Sequence, residues 1–248
     1  MSPFLELDGC FNFRDLGGHR AQDGSVVARG RLYRSDGLHR LTAAGRAAFD
    51  ELGVVTVLDL RSKGEVEQKV WRPPPGWPGR WRHVPLREQT PDWSADDRAV
   101  LDQDGFAVTH YLDIVREGGG FLRTAVELLA EPGGLPAAFY CAAGKDRTGI
   151  LSALVLRLVG VSAEAVVADY ALSEVATARW AASVAAGGVD DTAAEWPYVP
   201  PSLLRADRST MREFLRELDA EHGSVEGFAE HLGIGPDTIS RLRSALLR

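Results

Sequence analysis

Leu135-Pro136-Ala137-Ala138-Phe139-Tyr140-Cys141-Ala142-Ala143-Gly144-Lys145-Asp146-Arg147-Thr148-Gly149-Ile150 is the stretch from which the fold can be read. Its first part, Leu135 to Tyr140, is a short apolar run just after the breaker Pro132-Gly133-Gly134, the pattern of a buried strand. From Ile150 to Val159 the chain is again almost wholly apolar and reads as a helix. The residues between them, Cys141 to Gly149, are too polar for either and form a tight loop. Strand, loop, helix is the local order. Strands alternating with helices elsewhere predict an α/β sandwich, a central mixed sheet flanked by helices on both faces.

Outward from this stretch, the N-terminal region reads as short strands and turns. Strands are expected at Leu5 to Leu7, Ser25 to Val27 and Arg31 to Ser35, broken by Gly17-Gly18 and Asp23-Gly24. Thr42 is placed as the N-cap of a helix ending near Gly53. Val54-Val55-Thr56-Val57-Leu58 is the β-branched run of another buried strand, and a further strand is expected around Trp81 to Leu86. Two helices follow, Phe106 to Glu117 and Phe121 to Ala130. Beyond the loop the chain is largely helical, interrupted by Gly187-Gly188 and by Trp196-Pro197-Tyr198-Val199-Pro200-Pro201. A length of 248 residues, 45% of them hydrophobic, suits one domain over 1–248, with a helical lid at about 187–206 and further helices at the C-terminus.

Composition narrows the function. The net charge of -7 repels polyanions over long range, so nucleic acid is not an expected partner. Two cysteines, Cys10 and Cys141, cannot make a disulfide framework for this length, and both are read as reduced thiols. The N-terminus lacks a basic start and an apolar run of signal-peptide length, and no stretch approaches about 18 uninterrupted apolar residues. A soluble, cytoplasmic protein without a membrane span is expected. Six histidines are scattered without metal-ligand spacing, so neither a metal nor a cofactor is expected.

The loop carries the chemistry. Cleaving a phosphate monoester without a metal needs a nucleophile for phosphorus, neutralisation of three equatorial oxygens and a proton for the leaving oxygen. Cys141 can be the nucleophile, because a thiolate in positive potential reacts well. The backbone N–H groups of Ala142, Ala143, Gly144 and Lys145, with the start of the following helix, can converge on a phosphate or other oxyanion. Arg147 can hold two phosphate oxygens through its planar guanidinium. Gly144 removes bulk where the backbone approaches the ligand, and Thr148 can set a hydroxyl near the sulfur. A bare Cys-x5-Arg means little in a chain with 25 arginines. The full string Gly144-Lys145-Asp146-Arg147-Thr148-Gly149 at a fixed offset from a cysteine has a chance probability on the order of one in ten million.

Here the sequence resembles the atypical bacterial protein-tyrosine phosphatases, a family with triple-specificity members whose loop reads His-Cys-x-x-Gly-Lys-Asp-Arg-Thr-Gly. Asn12-Phe13-Arg14-Asp15-Leu16-Gly17-Gly18, Leu32-Tyr33-Arg34-Ser35-Asp36, Leu58-Asp59-Leu60-Arg61-Ser62 and Asp169-Tyr170-Ala171-Leu172-Ser173 also look like its recurrent segments. The resemblance implies the phosphatase sandwich fold, a phosphocysteine intermediate on Cys141, phosphate binding by Arg147 and no metal. It points to Asp146 as general acid; the substitute, read from Thr90-Pro91-Asp92-Trp93, is Asp92, whose blander reading is an exposed turn residue. Phosphotyrosine is the first choice of substrate, with phosphoserine/threonine and phosphoinositides as further candidates. Lys145 reads either as a rim cation for additional substrate phosphates or as a solvated side chain. Tyr140 departs from the family's histidine before the nucleophile.

Other residues have blander readings. Cys10 reads as a core or surface thiol, the alternative being a resolving partner for an oxidised Cys141. Arg14, Asp15, Asp36, Asp59, Arg61 and Asp169 read as a salt-bridged scaffold behind the loop. The 187–206 lid, with Trp180 and Trp196, reads either as a gate or as an ordinary connector. The rival function is DNA binding: Phe228 to Leu242 imitates a helix-turn-helix with Thr238, Ser240 and Arg241 on the would-be recognition helix. A silent phosphoprotein-binding module is a third reading, opposed by the intact Cys141 and Arg147.

Overall fold

A computed structural model describes residues 3–88, 103, 105–187 and 201–248, except the side chain of Pro201. Five strands form one sheet: β1 (Arg14–Asp15), β2 (Leu32–Ser35), β3 (Thr56–Asp59), β4 (Arg80–His83) and β5 (Ala137–Tyr140). Their order is β1-β2-β5-β3-β4. β1 runs antiparallel to β2, and the other neighbours are parallel, so the sheet is mixed. β5 is central: Tyr140 lies in register with Ser35 on one side and Asp59 on the other. Cys141 therefore leaves the sheet at the carboxyl end of its middle strand, where parallel α/β sheets present their ligand sites.

Successive residues of a strand face opposite ways, and each face here has its own core. Leu32, Leu58, Ala137 and Phe139 enter a large core shared with most of the helices. Tyr33, Val57, Ala138 and Tyr140 enter a smaller one, with Phe13, Phe49 and Trp71. The helices are α1 (Ala43–Glu51), α2 (Lys63–Gln68), α3 (Phe106–Ala130), α4 (Asp146–Leu158), α5 (Ala163–Ala185), α6 (Pro201–Leu204), α7 (Arg208–His222), α8 (Val225–His231) and α9 (Pro236–Leu246). Thr42 caps α1 by accepting from the Gly45 amide, as expected.

Four local expectations change. Leu5 to Leu7 is not a strand, although the Leu5 amide donates to Phe13 O at 3.0 Å. Val26 and Val27 make isolated bridges to Arg20 and Leu247 instead of a strand. The expected 81–86 strand is Arg80–His83. The two helices expected between Phe106 and Ala130 are one, continuous through Gly118-Gly119-Gly120. A Cβ on Gly118 would sit 2.3 Å from the Leu86 carbonyl oxygen, so glycine is there to admit the backbone leading from β4. Packing against the sheet outweighs the weak helix propensity. Residues 188–200 of the expected lid, with Trp196, and Asp92 lie outside the described residues.

The C-terminal helices close the domain. α9 turns Thr238, Leu242 and Leu246 inward, and Arg243 Nε donates to Leu158 O at 2.7 Å. Thr238 is thus spent on packing, one of the side chains the DNA-binding reading needed exposed. No helix among the described residues is long and apolar enough to cross a membrane.

Candidate active site

The loop after β5 is tied down by its carbonyls. Ala142 O accepts from the Gly37 amide and from Arg40 Nη2, each at 3.1 Å. Asn12 Nδ2 donates to both Ala143 O and Gly144 O at 3.0 Å, and Arg34 Nη2 donates to Gly144 O at 2.8 Å. In a planar trans peptide the N–H points opposite the carbonyl. Three consecutive carbonyls held against the scaffold turn the N–H groups of Ala143, Gly144 and Lys145 the other way. Amides turned this way can form a cradle for an oxyanion. Gly144 is obligatory: its φ is +65°, and a Cβ would lie 2.5 Å from the Ser35 carbonyl and the Asp36 amide. α4 begins at once, and no side chain caps its N-terminus.

Behind the loop lies a buried ionic scaffold. Asp169 of α5 accepts from Arg14 Nε at 2.9 Å and from Arg34 Nη1 at 2.6 Å. Burial pushes its carboxyl up, but the two guanidiniums hold it well below the usual range. Asp36 accepts from the Phe11 and Asn12 amides and from Arg40 Nη2 at 2.9 Å, joining the N-terminal segment to the loop. Asp15 serves a turn instead, accepting from the Gly17 and Gly30 amides.

Arg147 projects from the first turn of α4 onto Glu65, with Nη1 and Nη2 at 2.5 and 2.8 Å from its two carboxylate oxygens. Burial works against the guanidinium's charge, but Glu65, then Cys141 and Asp146, hold its pKa above the ordinary value. Asp146 accepts from the Tyr111 hydroxyl at 2.5 Å, and the Lys145 ammonium stands 3.2 Å from the same oxygen. Cys141 is only 2% exposed at the foot of the loop. Thr148 is fully buried, and its hydroxyl has no hydrogen-bond partner among the described residues. Lys145 is neither on the rim nor solvated. Its ammonium donates to Leu203 O and, at 2.9 Å, to Arg205 O, tying the loop to the chain around α6.

Residues 5–248 match the model of the tyrosine phosphatase family. The chain belongs to that family. It is 32% identical to PtpB, the triple specificity protein phosphatase of Mycobacterium tuberculosis, over 98% of both chains. A Cupriavidus necator chain provisionally named a tyrosine-protein phosphatase is 33% identical, over 90% of this chain and 82% of that one. A tyrosine-protein phosphatase of Nostoc commune is 24% identical, over 90% of this chain and 76% of its own. The protein is a cysteine-dependent protein-tyrosine phosphatase.

In this phosphatase Tyr140 does not reach toward the thiol. Its side chain enters the smaller core on the other face of the sheet. There its hydroxyl donates to Asp59 Oδ2 and accepts from Arg61 Nη2 at 3.3 Å, completing the Asp59–Arg61 ion pair. Cys10 lies in that core too, 3.9 Å from Gly37 O, and burial keeps it a protonated thiol. Sequence reading missed two residues that contact the candidate site, Glu65 and Tyr111. Glu65 was signalled by Ser62-x-x-Glu65, a capping box that opens α2, but that pattern says nothing of Arg147. Tyr111 had no signal: in sequence it is one more core residue of a helix.

Proposed function

We propose that the protein hydrolyses phosphotyrosine in proteins through a phosphocysteine on Cys141, with phosphoserine/threonine and phosphoinositides as further substrates. The loop amides and Arg147 hold the equatorial oxygens while the Cys141 thiolate attacks phosphorus. The S–P bond forms as the P–O bond to the leaving group breaks, and Asp146 delivers its proton to that oxygen. Water then attacks phosphorus, the S–P bond breaks, Asp146 takes the water proton, and inorganic phosphate departs. The observation that carries this reading is the anchoring of the Ala142, Ala143 and Gly144 carbonyls, which turns the following amides away from those anchors, where an anion could meet them. The wider substrate range is supported by likeness to PtpB, named for triple specificity.

The test is turnover of phosphotyrosine, phosphoserine and phosphoinositide substrates with chelator present, comparing wild type, Cys141→Ser and Asp146→Asn. Chelator should leave activity unchanged, Cys141→Ser should abolish it, and Asp146→Asn should lower it by about a hundredfold. Activity that survives Cys141→Ser and vanishes with chelator overturns the mechanism.

A further inference from the structure

Asp146 is gripped at one oxygen. The Tyr111 hydroxyl at 2.5 Å and the Lys145 ammonium at 3.2 Å both address Oδ1. An oxygen that already accepts one hydrogen bond and faces an ammonium is a poor place for the acid proton, so the proton belongs on Oδ2. The Asp146 side chain is 23% exposed, enough for a substrate to reach it. Tyr111 itself is fully buried. Its ring is held edge-on by Tyr170 at 6.2 Å and by Phe214 at 5.7 Å. The Tyr170 hydroxyl stands 2.7 Å from that of Tyr111. Tyr111 has one hydroxyl proton and gives it to Asp146, so Tyr170 donates to Tyr111. Three helices, α5, α3 and α4, thus contribute one directed chain, Tyr170 to Tyr111 to Asp146.

We propose that Tyr111, backed by Tyr170, is the positioning residue for the catalytic acid: it fixes Oδ2 of Asp146 as the oxygen that carries the transferable proton. The inference rests on the reading of Asp146 as the acid. When Oδ2 releases its proton to the leaving oxygen, the carboxylate that forms is met at Oδ1 by the hydroxyl already in place. In the second step the same bond steadies the carboxylate as Oδ2 takes a proton from water.

Among the described residues, the charged and titratable groups around Asp146 are Lys145 and Arg147 beside it, Tyr111 and His110 from α3, and Tyr170 behind Tyr111. Burial raises the Asp146 carboxyl, but Lys145 and then Tyr111 bring it below its usual value. Burial lowers His110 to about 4, and both tyrosines are raised and stay protonated. Removing the Tyr111 hydroxyl therefore raises the acid's pKa and moves the basic limb of the pH–rate profile upward.

The test is Tyr111→Phe assayed on aryl phosphates of graded leaving-group pKa, beside Asp146→Asn. A poor leaving group needs the acid and a good one does not. We expect kcat on phenyl phosphate to fall about tenfold or more, kcat on p-nitrophenyl phosphate to stay within about twofold, and the basic limb to rise. Asp146→Asn should show the same dependence more steeply. If Asp146→Asn shows it and Tyr111→Phe slows every substrate equally with an unmoved limb, Tyr111 is only structural and the inference fails. If Asp146→Asn shows no leaving-group dependence, the acid assignment itself is wrong. Should Tyr111→Phe not fold, Tyr170→Phe removes the donor behind it and must show the same pattern in weaker form; a uniform loss there also sinks the inference.

Discussion

Glu65 does two things with one carboxylate. It accepts from the Ser62 amide at 2.7 Å to start α2, and it clasps both terminal nitrogens of Arg147. Burial alone would raise its pKa, yet Arg147 and Ser62 bring it from 4.5 down to about 2. A carboxyl depressed in the folded state stabilises fully above its unfolded value and loses that contribution as pH falls toward the folded one. Glu65→Gln should therefore be less stable than wild type at neutral pH by on the order of a few kcal/mol. In urea titrations the gap should narrow as pH drops from 4.5 toward about 2. A gap independent of pH would show that the charge of Glu65 is not what matters. Because Gln leaves Arg147 loosely aimed, kcat/KM should also fall by about ten- to a hundredfold.

At the scale of elements, α3 shows why glycines must be judged by surroundings. Gly118 faces the Leu86 backbone at a distance no methyl can share, whereas a Cβ on Gly120 would meet nothing within 4 Å. Gly118→Ala should destabilise by roughly 1–3 kcal/mol through overpacking. Gly120→Ala, on the exposed side of the same helix, should stabilise by up to about 1 kcal/mol through lost unfolded-state freedom and better helix propensity. Thermal unfolding of both variants checks the pair. Equal shifts would mean that helix propensity alone sets the response, and that α3 is not pressed against the chain from β4.

At the scale of the molecule, Asp169 joins segments far apart in the chain. From α5 it binds Arg14 of β1 and Arg34 of β2, and Arg34 in turn holds Gly144 O of the loop after β5. Asp169→Asn leaves two buried guanidiniums without their counter-charge, which should cost about 3–5 kcal/mol. Because Gly144 then loses a fixed partner, turnover of an aryl phosphate should fall by about tenfold or more well below the melting temperature. Chemical denaturation and turnover, measured on the same preparation, decide it. A destabilised variant with full activity would separate this network from the shape of the loop.

Much of the site was legible because it is local. Strand, loop and helix from Leu135 to Val159 follow from apolar runs and a glycine that alone fits φ +65°, and backbone geometry over a few residues is set by those same residues. The sequence by itself thus determined the β5–loop–α4 unit, its cysteine and arginine, and the mixed α/β class. What it could not assign were partners chosen through space. Glu65 reaches Arg147, Tyr111 reaches Asp146, Lys145 turns to the carbonyls of Leu203 and Arg205, and Tyr140 turns to Asp59. Those pairings depend on which faces of the sheet and helices meet, and only the packed fold decides that.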